Sequence, residues 1–382
     1  MKNLTKIIAA SLLAGSLLAV SGCSRGTVVT TVATSANWNV RTSTVVENNE
    51  YGFWRTHKEV ASYSVSFKEG TNNSYSVSYD TANATYTTKF YMDAEDYDWT
   101  SASLPENYRV TADENTVVKE PVYVYETEMR ISGVYKDKNG SESAFDDEII
   151  TVCKYRTADK NLQPVYSKQI IKNTTPAALS TGSVEGAYVK VDAVYETYYN
   201  FDCSEAFVKT QNNSAAKEED KSTERSVKIK DKKKYSAFDN SQLRAALRAF
   251  NMTEDAVRTF NVVLPQSGNM QTCTAKIAAP VELKEDVENE KRIIDALDAC
   301  QPDDYIFFDH RVDENGKKAN YRYSAMQLEI SAYLKGSAPT VWYTTVENQD
   351  VNTTRSVLLR MSSPISFGMG TLIYELKALN LE

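Results

Sequence analysis

The chain has 382 residues, is 42% hydrophobic and 25% charged, and carries a formal net charge of −8 at pH 7. Such an acidic chain is a poor ligand for nucleic acid and for anionic lipid surfaces, because both attract basic proteins. The composition therefore argues against both classes of electrostatic partner.

The first 22 residues have the layout of a secretory signal. Lys2 and Lys6 precede an apolar run, Ile7–Val20, that is too short for a comfortable membrane span. Small residues follow the run and lead to Cys23. The four residues Val20-Ser21-Gly22-Cys23 resemble the lipobox of bacterial lipoproteins. The alternative is an ordinary signal peptide with a chance cysteine.

The lipobox resemblance implies cleavage after residues 1–22 and lipidation of the Cys23 sulfur. Cleavage removes two lysines and no acids, which moves the formal charge from −8 to −10. Membrane attachment would then rest on the lipid, and two or more acyl chains hold a protein stably. The expected location is the extracytoplasmic face of a bacterial envelope. Ser24 is compatible with outer-membrane sorting in a two-membrane cell, whereas a one-membrane cell would display the protein outside.

Residues 23–50 predict a lipidated tether, because they are small and polar without a long amphipathic pattern. Alternation of apolar and polar residues then predicts strands across a single β-rich domain at 51–382. The stretch 62–79 contains YSVS twice. Three consecutive antiparallel strands are predicted with one face buried. The sets that share this face are Tyr63, Val65 and Phe67; Tyr75, Val77 and Tyr79; and Tyr86, Thr88, Phe90 and Met92.

Further strands follow with the same alternation. Residues 122–136 place one apolar set on one side, namely Tyr123, Tyr125, Met129 and Ile131. Asn139-Gly140 and Asn315-Gly316 predict hairpin turns, since an Asn-Gly pair accepts positive backbone dihedrals. The last strands are expected in TVWYTTV, RSVLLRM and GTLIYELKAL. The 24 tyrosines against 14 glycines and 9 prolines indicate long strands, which must twist and curl.

Two segments have helical periodicity instead. Residues 239–250 predict a helix that packs on a sheet, with Asp239 and Gln242 as its capping pair. Residues 286–300 predict a second helix, either on the surface or within an insertion. The mixed charges of residues 212–234 lack an apolar face. We therefore expect a solvated loop there, between two halves of one sheet.

Four cysteines lie outside the signal: Cys153, Cys203, Cys273 and Cys300. In an exported protein they could form two disulfides, in any of three connectivities. Cys153 lies in an apolar run, where a buried thiol is an equal alternative. The spacing of the four does not match a zinc site.

The sequence lacks the common motifs of catalysis and cofactor binding. It contains no nucleophile elbow, no phosphate-binding loop and no complete calcium loop. Asp309 and His310 suggest a metal, but neighbouring strand residues point to opposite faces. We therefore expect no catalytic residue, no cofactor and no metal. A glycosidase formed by two distant acids stays open.

The order of elements resembles uncharacterised bacterial envelope domains that are similar to the lipoprotein carriers and their unclosed β-barrel. The resemblance covers residues 120–380 and rests on Leu162-Gln163-Pro164, the helix DNSQLRAALRAF and the strands from Thr340 to Leu379. It implies a mainly β fold: a large curved antiparallel sheet or half-barrel, with one or two helices packed on the concave side. It also implies that apolar ligands lie between sheet and helix.

Two functions are compatible with these patterns. The first is a non-catalytic protein that binds or carries an apolar or amphipathic envelope molecule, such as a lipid, and no nucleic acid. Its expected ligand wall consists of Tyr63, Phe67, Tyr75, Tyr79, Tyr123, Tyr125 and Met129. The second is a structural or interaction lipoprotein with a fully packed sheet, whose loops bind protein or glycan. An exposed aromatic cluster on the serine-bearing face would favour the second.

Overall fold

The computed structural model describes residues 54–71, 76–112, 118–136, 139–158, 161–176, 188–230, 237–239, 242, 246–247, 257–265, 267–279, 281–299, 322–330, 340–344, 357–365 and 369–382. The predicted signal, the tether and the lipobox lie outside these residues. So do the expected wall residue Tyr75, the turn at Asn315-Gly316, the pair Asp309 and His310, and Cys300.

Strands make up most of the described chain. In the first half they are β1 (Glu59–Glu69), β2 (Ser76–Tyr79), β3 (Thr85–Met92), β4 (Tyr97–Asp98), β5 (Lys119–Glu120), β6 (Tyr123–Lys136), β7 (Glu142–Ala158), β8 (Asn161–Pro176) and β9 (Tyr188–Tyr199). The later strands are β10 (Glu205–Asn212), β11 (Ser222–Lys228), β12 (Ala237–Asp239), β13 (Val257–Leu264), β14 (Asn269–Ile277), β15 (Val281–Glu282), β16 (Arg322–Ile330), β17 (Thr340–Thr344), β18 (Leu358–Ile365) and β19 (Gly370–Leu381).

The described strands form one sheet of 17 strands, beside a two-stranded sheet of β4 and β5. The main hydrogen-bonded order is β12-β13-β14-β16-β17-β18-β19-β1-β3-β6-β7-β8-β9-β10-β11. Every pairing is antiparallel except that of β12 with β13. The prediction of a large antiparallel sheet is confirmed. Because β19 pairs with β1, the last strand joins the first in the middle of the sheet.

Strand β2 corrects one detail of the predicted order. β1 pairs with β3, whereas β2 pairs with the far end of β6. β6 has 14 residues, so it accommodates β3 along one part and β2 along the other. Alternation indicates which residues face inward, but it does not select the neighbouring strand.

The inner face of the sheet encloses one main hydrophobic core. Strand β1 alternates as expected, with Tyr63 and Val65 buried and the intervening serines more exposed. Side chains from strands that are distant in the sheet order, such as Phe90, Tyr195 and Tyr343, belong to the same core. Residues that far apart in a sheet meet only if the sheet curls, so the inner face is concave.

The two ends of the curled sheet approach each other through side chains. Val227 and Ile229, in and after β11, share a smaller core with Ala237 and Val263 from β12 and β13. The Asn261 amide also donates a 2.8 Å hydrogen bond to the Lys230 carbonyl. No backbone pairing links β11 to β12, β13 or β14 in the described part of the chain. The sheet is therefore an unclosed barrel.

Two helical segments lie on the inner face. Helix α1 (Glu288–Ala299) packs against β19 and buries Ile293, Ile294 and Leu297 in the main core. The structure packs this helix on the sheet, which corrects the expectation of a surface helix. Its 3.6-residue period supplies the apolar face that such packing requires.

The earlier helical segment begins with the predicted capping pair. The Gln242 N–H donates to Asp239 Oδ1 at 3.0 Å, and the Asp239 N–H donates to Gln242 Oε1 at 2.9 Å. Such reciprocal bonds satisfy backbone donors that a helix start leaves unpaired. Ala246 and Leu247 follow in helical conformation and are buried.

The charged segment 212–234 is not only a loop, which corrects the expectation. It contains a short 3₁₀ helix, Glu218–Asp220, and then β11, which pairs with β10 along its length. An edge strand tolerates charges because its outward side chains remain in water. Lys209 and Glu224 pair across the two strands at 3.6 Å, and Val227 is the buried residue of β11. Mixed charge therefore concealed an edge strand.

The predicted Asn139-Gly140 turn is confirmed, because Gly140 has a φ of 84° between β6 and β7. Cys153 and Cys273 are buried and Cys203 is half-buried, and none of these three is disulfide-bonded to another. Two disulfides among four cysteines always require a bond between two of these three, so the option of two disulfides is excluded. Cys153 is a buried thiol, which was the other option.

Candidate functional site

Four of the expected wall residues lie together on the concave face and are buried. They are Tyr63, Tyr123, Tyr125 and Met129, all in the main core. Two of them have hydrogen-bonded polar atoms: the Tyr63 hydroxyl donates to the Leu358 carbonyl at 3.0 Å, and Tyr374 donates to the Met129 sulfur at 3.3 Å. This part of the wall is filled by its own side chains.

Phe67 and Tyr79, the other two described wall residues, lie at one end of the concave face and are only half-buried. The Tyr79 ring is 4.9 Å from Phe67 and 5.5 Å from Phe145, centroid to centroid, in edge-to-face contacts. Such geometry suits the quadrupoles of aromatic rings. We call Phe67, Tyr79, Phe145 and the neighbouring Asp147 the rim.

Two glycines make room for the rim rings. A side chain at Gly133 would place its Cβ 2.5 Å from the Phe145 ring and 2.3 Å from the Ser78 carbonyl. At Gly370, whose φ is 152°, the Cβ would lie 2.4 Å from the Phe67 ring. Because Gly133 is the cross-strand partner of Phe145, the ring covers the exposed backbone of the glycine.

Asp147 places a carboxyl group behind these rings. It is fully buried and lies two residues after Phe145, on the same face of β7. Burial raises the pKa of Tyr79 well above its ordinary value, and the nearby Asp147 charge and Tyr374 add to the effect. Neither Phe145 nor Asp147 was predicted as a site residue, because their proximity to Tyr79 depends on β2 pairing with β6.

A row of polar side chains crosses the middle of the concave face. Register pairs Thr88 with Thr127, Thr127 with Thr151, Thr151 with Gln169 and Gln169 with Tyr195, and all five are buried. The Thr127 and Thr151 hydroxyls are hydrogen-bonded at 2.5 Å. Burial raises the pKa of Tyr195 to about 12. Sequence alternation marks these positions as inward, but only the register aligns them.

The opposite end of the concave face is covered by the capped helix start. Ser167 donates a hydrogen bond to Asp239, and the Tyr155 hydroxyl donates to the Gln242 carbonyl at 3.0 Å. Tyr155 and Asp239 are both fully buried. Burial is the main cause that raises the pKa of Tyr155. This end is closed by protein, whereas the rim is partly open.

A second aromatic group lies on the outer face, under the segment that contains β4 and β5. We call it the outer cluster: Trp99, Leu104, Val122 and Val165, with Arg156, Glu120 and Phe201. The Arg156 guanidinium lies 5.0 Å from the Trp99 ring and 4.3 Å from the Phe201 ring. It also donates to Glu120 at 2.8 Å. Two aromatic rings and a carboxylate therefore surround a cation here, and that cation is the side chain of Arg156.

The outer face also carries a half-exposed row of rings, Tyr166, Tyr198 and Phe207, on β8, β9 and β10. Tyr166 and Tyr198 are 5.1 Å apart, centroid to centroid. The Lys209 ammonium lies 5.9 Å from the Tyr198 ring and 5.8 Å from the Phe207 ring. The rings lie on the face where an exposed aromatic cluster was expected, but they are only partly exposed.

The described part of the chain holds no cluster of three or more His, Cys, Asp or Glu residues suited to a metal ion. Nor do the helices within it include one that is long and apolar enough to cross a membrane.

No protein-family model matches the chain, and no curated protein matches its sequence. Among solved structures it is similar to a crystal structure described as a beta-barrel-like protein of a domain of unknown function from Brucella abortus. The identity is 7% and the TM-score 0.37, and the match covers 85% of this chain and 97% of that chain. A likeness this distant carries no argument about function.

Proposed function

We propose that this protein is a lipid-anchored bacterial envelope protein that binds or carries an apolar or amphipathic molecule without catalysing a reaction. The observation that carries the proposal is the rim. Phe67 and Tyr79 are half-buried at an end of the concave face that is otherwise continuous with the aromatic core. Partly exposed apolar side chains at a core opening indicate a contact site for an apolar ligand.

The proposed anchor is the lipid on Cys23, followed by the tether at 23–50. The motif Val20-Ser21-Gly22-Cys23 supports it, and the acidic charge of the chain supports anchoring by lipid rather than by electrostatic attraction. The proposed location is the extracytoplasmic side of the envelope. The test is membrane fractionation of the full chain. A Cys23→Ser variant should move to the soluble fraction, and retention at the membrane would contradict the anchor.

Native mass spectrometry of the form that begins at Ser24 tests binding. We expect a reproducible mass excess that organic extraction removes and that added phospholipid or fatty acid restores. A matched control is the variant Tyr91→Ser, which changes an outward tyrosine whose hydroxyl donates to Glu126 at 2.6 Å. A clean protein mass that takes up no added lipid would overturn the carrier function.

The outer row of rings favours a second function, an interaction lipoprotein. Half-exposed Tyr198 and Phe207 could contact a protein or glycan, since aromatic side chains supply much of the energy at binding surfaces. The double variant Tyr198→Ser, Phe207→Ser should then release cell-wall glycan or envelope protein that the parent chain retains. The control is Tyr91→Ser. Unchanged retention in the double variant would exclude this surface.

A further inference from the structure

The outer row of rings crosses three neighbouring strands in register. Tyr166 on β8 is the cross-strand partner of Tyr198 on β9, and Tyr198 is the partner of Phe207 on β10. The Tyr166 and Tyr198 rings are 5.1 Å apart, centroid to centroid, which is close to the spacing of neighbouring strands. All three rings are half-exposed. The outer row is therefore a strip that is one ring wide and three rings long.

Charged side chains border the outer row on the same face, two residues along each strand. The cross-strand neighbours in this border are, in order, Lys168, Glu196, Lys209 and Glu224. The Lys168 ammonium lies 3.9 Å from the Glu196 carboxylate, and Lys209 lies 3.6 Å from Glu224. The positive and negative charges alternate and cancel. The border therefore favours a partner without net charge over an ionic one.

The border also places hydrogen-bonding groups beside the rings. Glu196 accepts from the Tyr166 hydroxyl at 2.6 Å, and its carboxylate has further lone pairs for a ligand hydroxyl. The Lys209 ammonium lies within 5.9 Å of the Tyr198 and Phe207 rings and can donate to a ligand oxygen. A sugar ring suits this arrangement. Its C–H groups can pack on the negative face of an aromatic ring, while the hydroxyls at its edge bind the polar border.

The outer row is too small for a stable protein interface. A fully exposed aromatic side chain offers roughly 200 Å², so three half-exposed rings offer at most roughly 300 Å². A standard protein interface buries roughly 800 Å² of each partner. The border adds charged side chains rather than apolar contact. The strip therefore suits a narrow, chain-like ligand.

We propose that the outer row binds an uncharged glycan chain, with sugar rings packed on Tyr166, Tyr198 and Phe207 and sugar hydroxyls bound by Glu196 and Lys209. This inference rests on the interaction function proposed above and narrows its partner to a glycan. Rings in register across three strands favour an extended chain, because each ring can meet a successive sugar. The site lies on the outer face, so it is independent of ligand binding at the concave face.

The test is isothermal titration calorimetry with cellohexaose and chitohexaose, two extended and uncharged oligosaccharides, on the form that begins at Ser24. We expect at least one of them to bind. Its affinity should change less than about twofold between about 0.05 M and about 0.5 M salt, because salt does not screen contacts to an uncharged ligand. A tenfold loss of affinity over that range would overturn the assignment to packing on the rings.

Variants connect binding to the outer row. Tyr198→Leu keeps an apolar side chain but removes the ring, so it should weaken oligosaccharide binding about fivefold or more. Tyr198→Phe keeps the ring and should bind as the parent chain does. Tyr91→Ser, which changes a half-exposed tyrosine on the outer face of β3, should leave the affinity unchanged. Phe207→Leu should also weaken binding, and it keeps the proposal testable if Tyr198→Leu fails to fold.

The outcomes separate this inference from the interaction function. Binding of neither oligosaccharide would overturn the glycan site. If the double variant Tyr198→Ser, Phe207→Ser then still loses an envelope protein that the parent chain retains, the interaction function stands with a protein partner. If it loses nothing, the interaction function is overturned as well. Unchanged oligosaccharide affinity in Tyr198→Leu and Phe207→Leu would also overturn the site, because the glycan would then bind elsewhere.

Discussion

The rim and the outer cluster each place a charged side chain beside aromatic rings, but Trp99 of the outer cluster is fully buried, whereas Phe67 and Tyr79 of the rim are half-buried. In the outer cluster Arg156 is satisfied by Glu120, Gln163 and two rings, and it is 4% exposed. At the rim two of the three rings are half-buried. We therefore expect the outer cluster to contribute more to stability than the rim, because its charged residue and its largest ring are both buried.

Removing the charged side chain of the outer cluster should have the largest effect on stability. Arg156→Ala leaves Glu120 and Gln163 without their buried partner, so we expect the free energy of unfolding to fall by about 3 kcal/mol. Urea denaturation measures the change. Lys172→Ala, which breaks an exposed pair with Glu148, should cost less than about 1 kcal/mol. Equal losses in the two variants would contradict the comparison.

Alkaline pH should lower the free energy of unfolding through Tyr195, which lies in the middle of the concave face. Burial raises the pKa of Tyr195 to about 12 from 10.0. The unfolded chain loses this proton first, so stability is intact below pH 10 and is lost between about pH 10 and 12. The expected loss from this group is on the order of 2 kcal/mol. Denaturation at rising pH, compared with Tyr195→Phe, measures it; equal slopes would disprove the assignment.

Filling the space behind a rim ring should have a moderate effect. Gly133→Ala places a Cβ against the Ser78 carbonyl and the Phe145 ring, so either the strand or the ring must shift. We expect a loss of about 2 kcal/mol in the free energy of unfolding. The adjacent Ser132→Ala should change it by less than about 0.5 kcal/mol. An unchanged free energy of unfolding in Gly133→Ala would show that the rim side chains pack more loosely than these distances indicate.

Changing a rim ring should have the smallest effect on stability. Tyr79 is half-buried, so Tyr79→Leu keeps much of its apolar contact and should cost about 1 kcal/mol or less. Thermal unfolding of this variant beside the parent chain measures the change. A loss of stability as large as that in Arg156→Ala would show that the rim contributes as much to stability as the outer cluster.

Local pattern predicted much of the fold. Alternation identified the inward set Tyr63, Val65 and Tyr86, and the turn at Gly140 and the capping pair followed from residue chemistry. The edge strand β11 was missed, because an edge strand needs few buried residues. Of the four rim residues, Phe67 and Tyr79 belong to the predicted ligand wall. Phe145 and Asp147 were not predicted, since no local signal links them to Tyr79.

The sequence by itself determined which side chains face the core, because inward and outward positions alternate along any strand. It also determined where strands turn and where a helix begins. Only the tertiary structure decided which strands pair. That choice brings Asp147 behind Tyr79, aligns Thr88, Thr127 and Thr151 in one row, and places Arg156 between Trp99 and Phe201. The physical reason is that the hydrophobic effect is not directional. A strand with one apolar face can bury that face beside several different strands, and register and curvature select one of them.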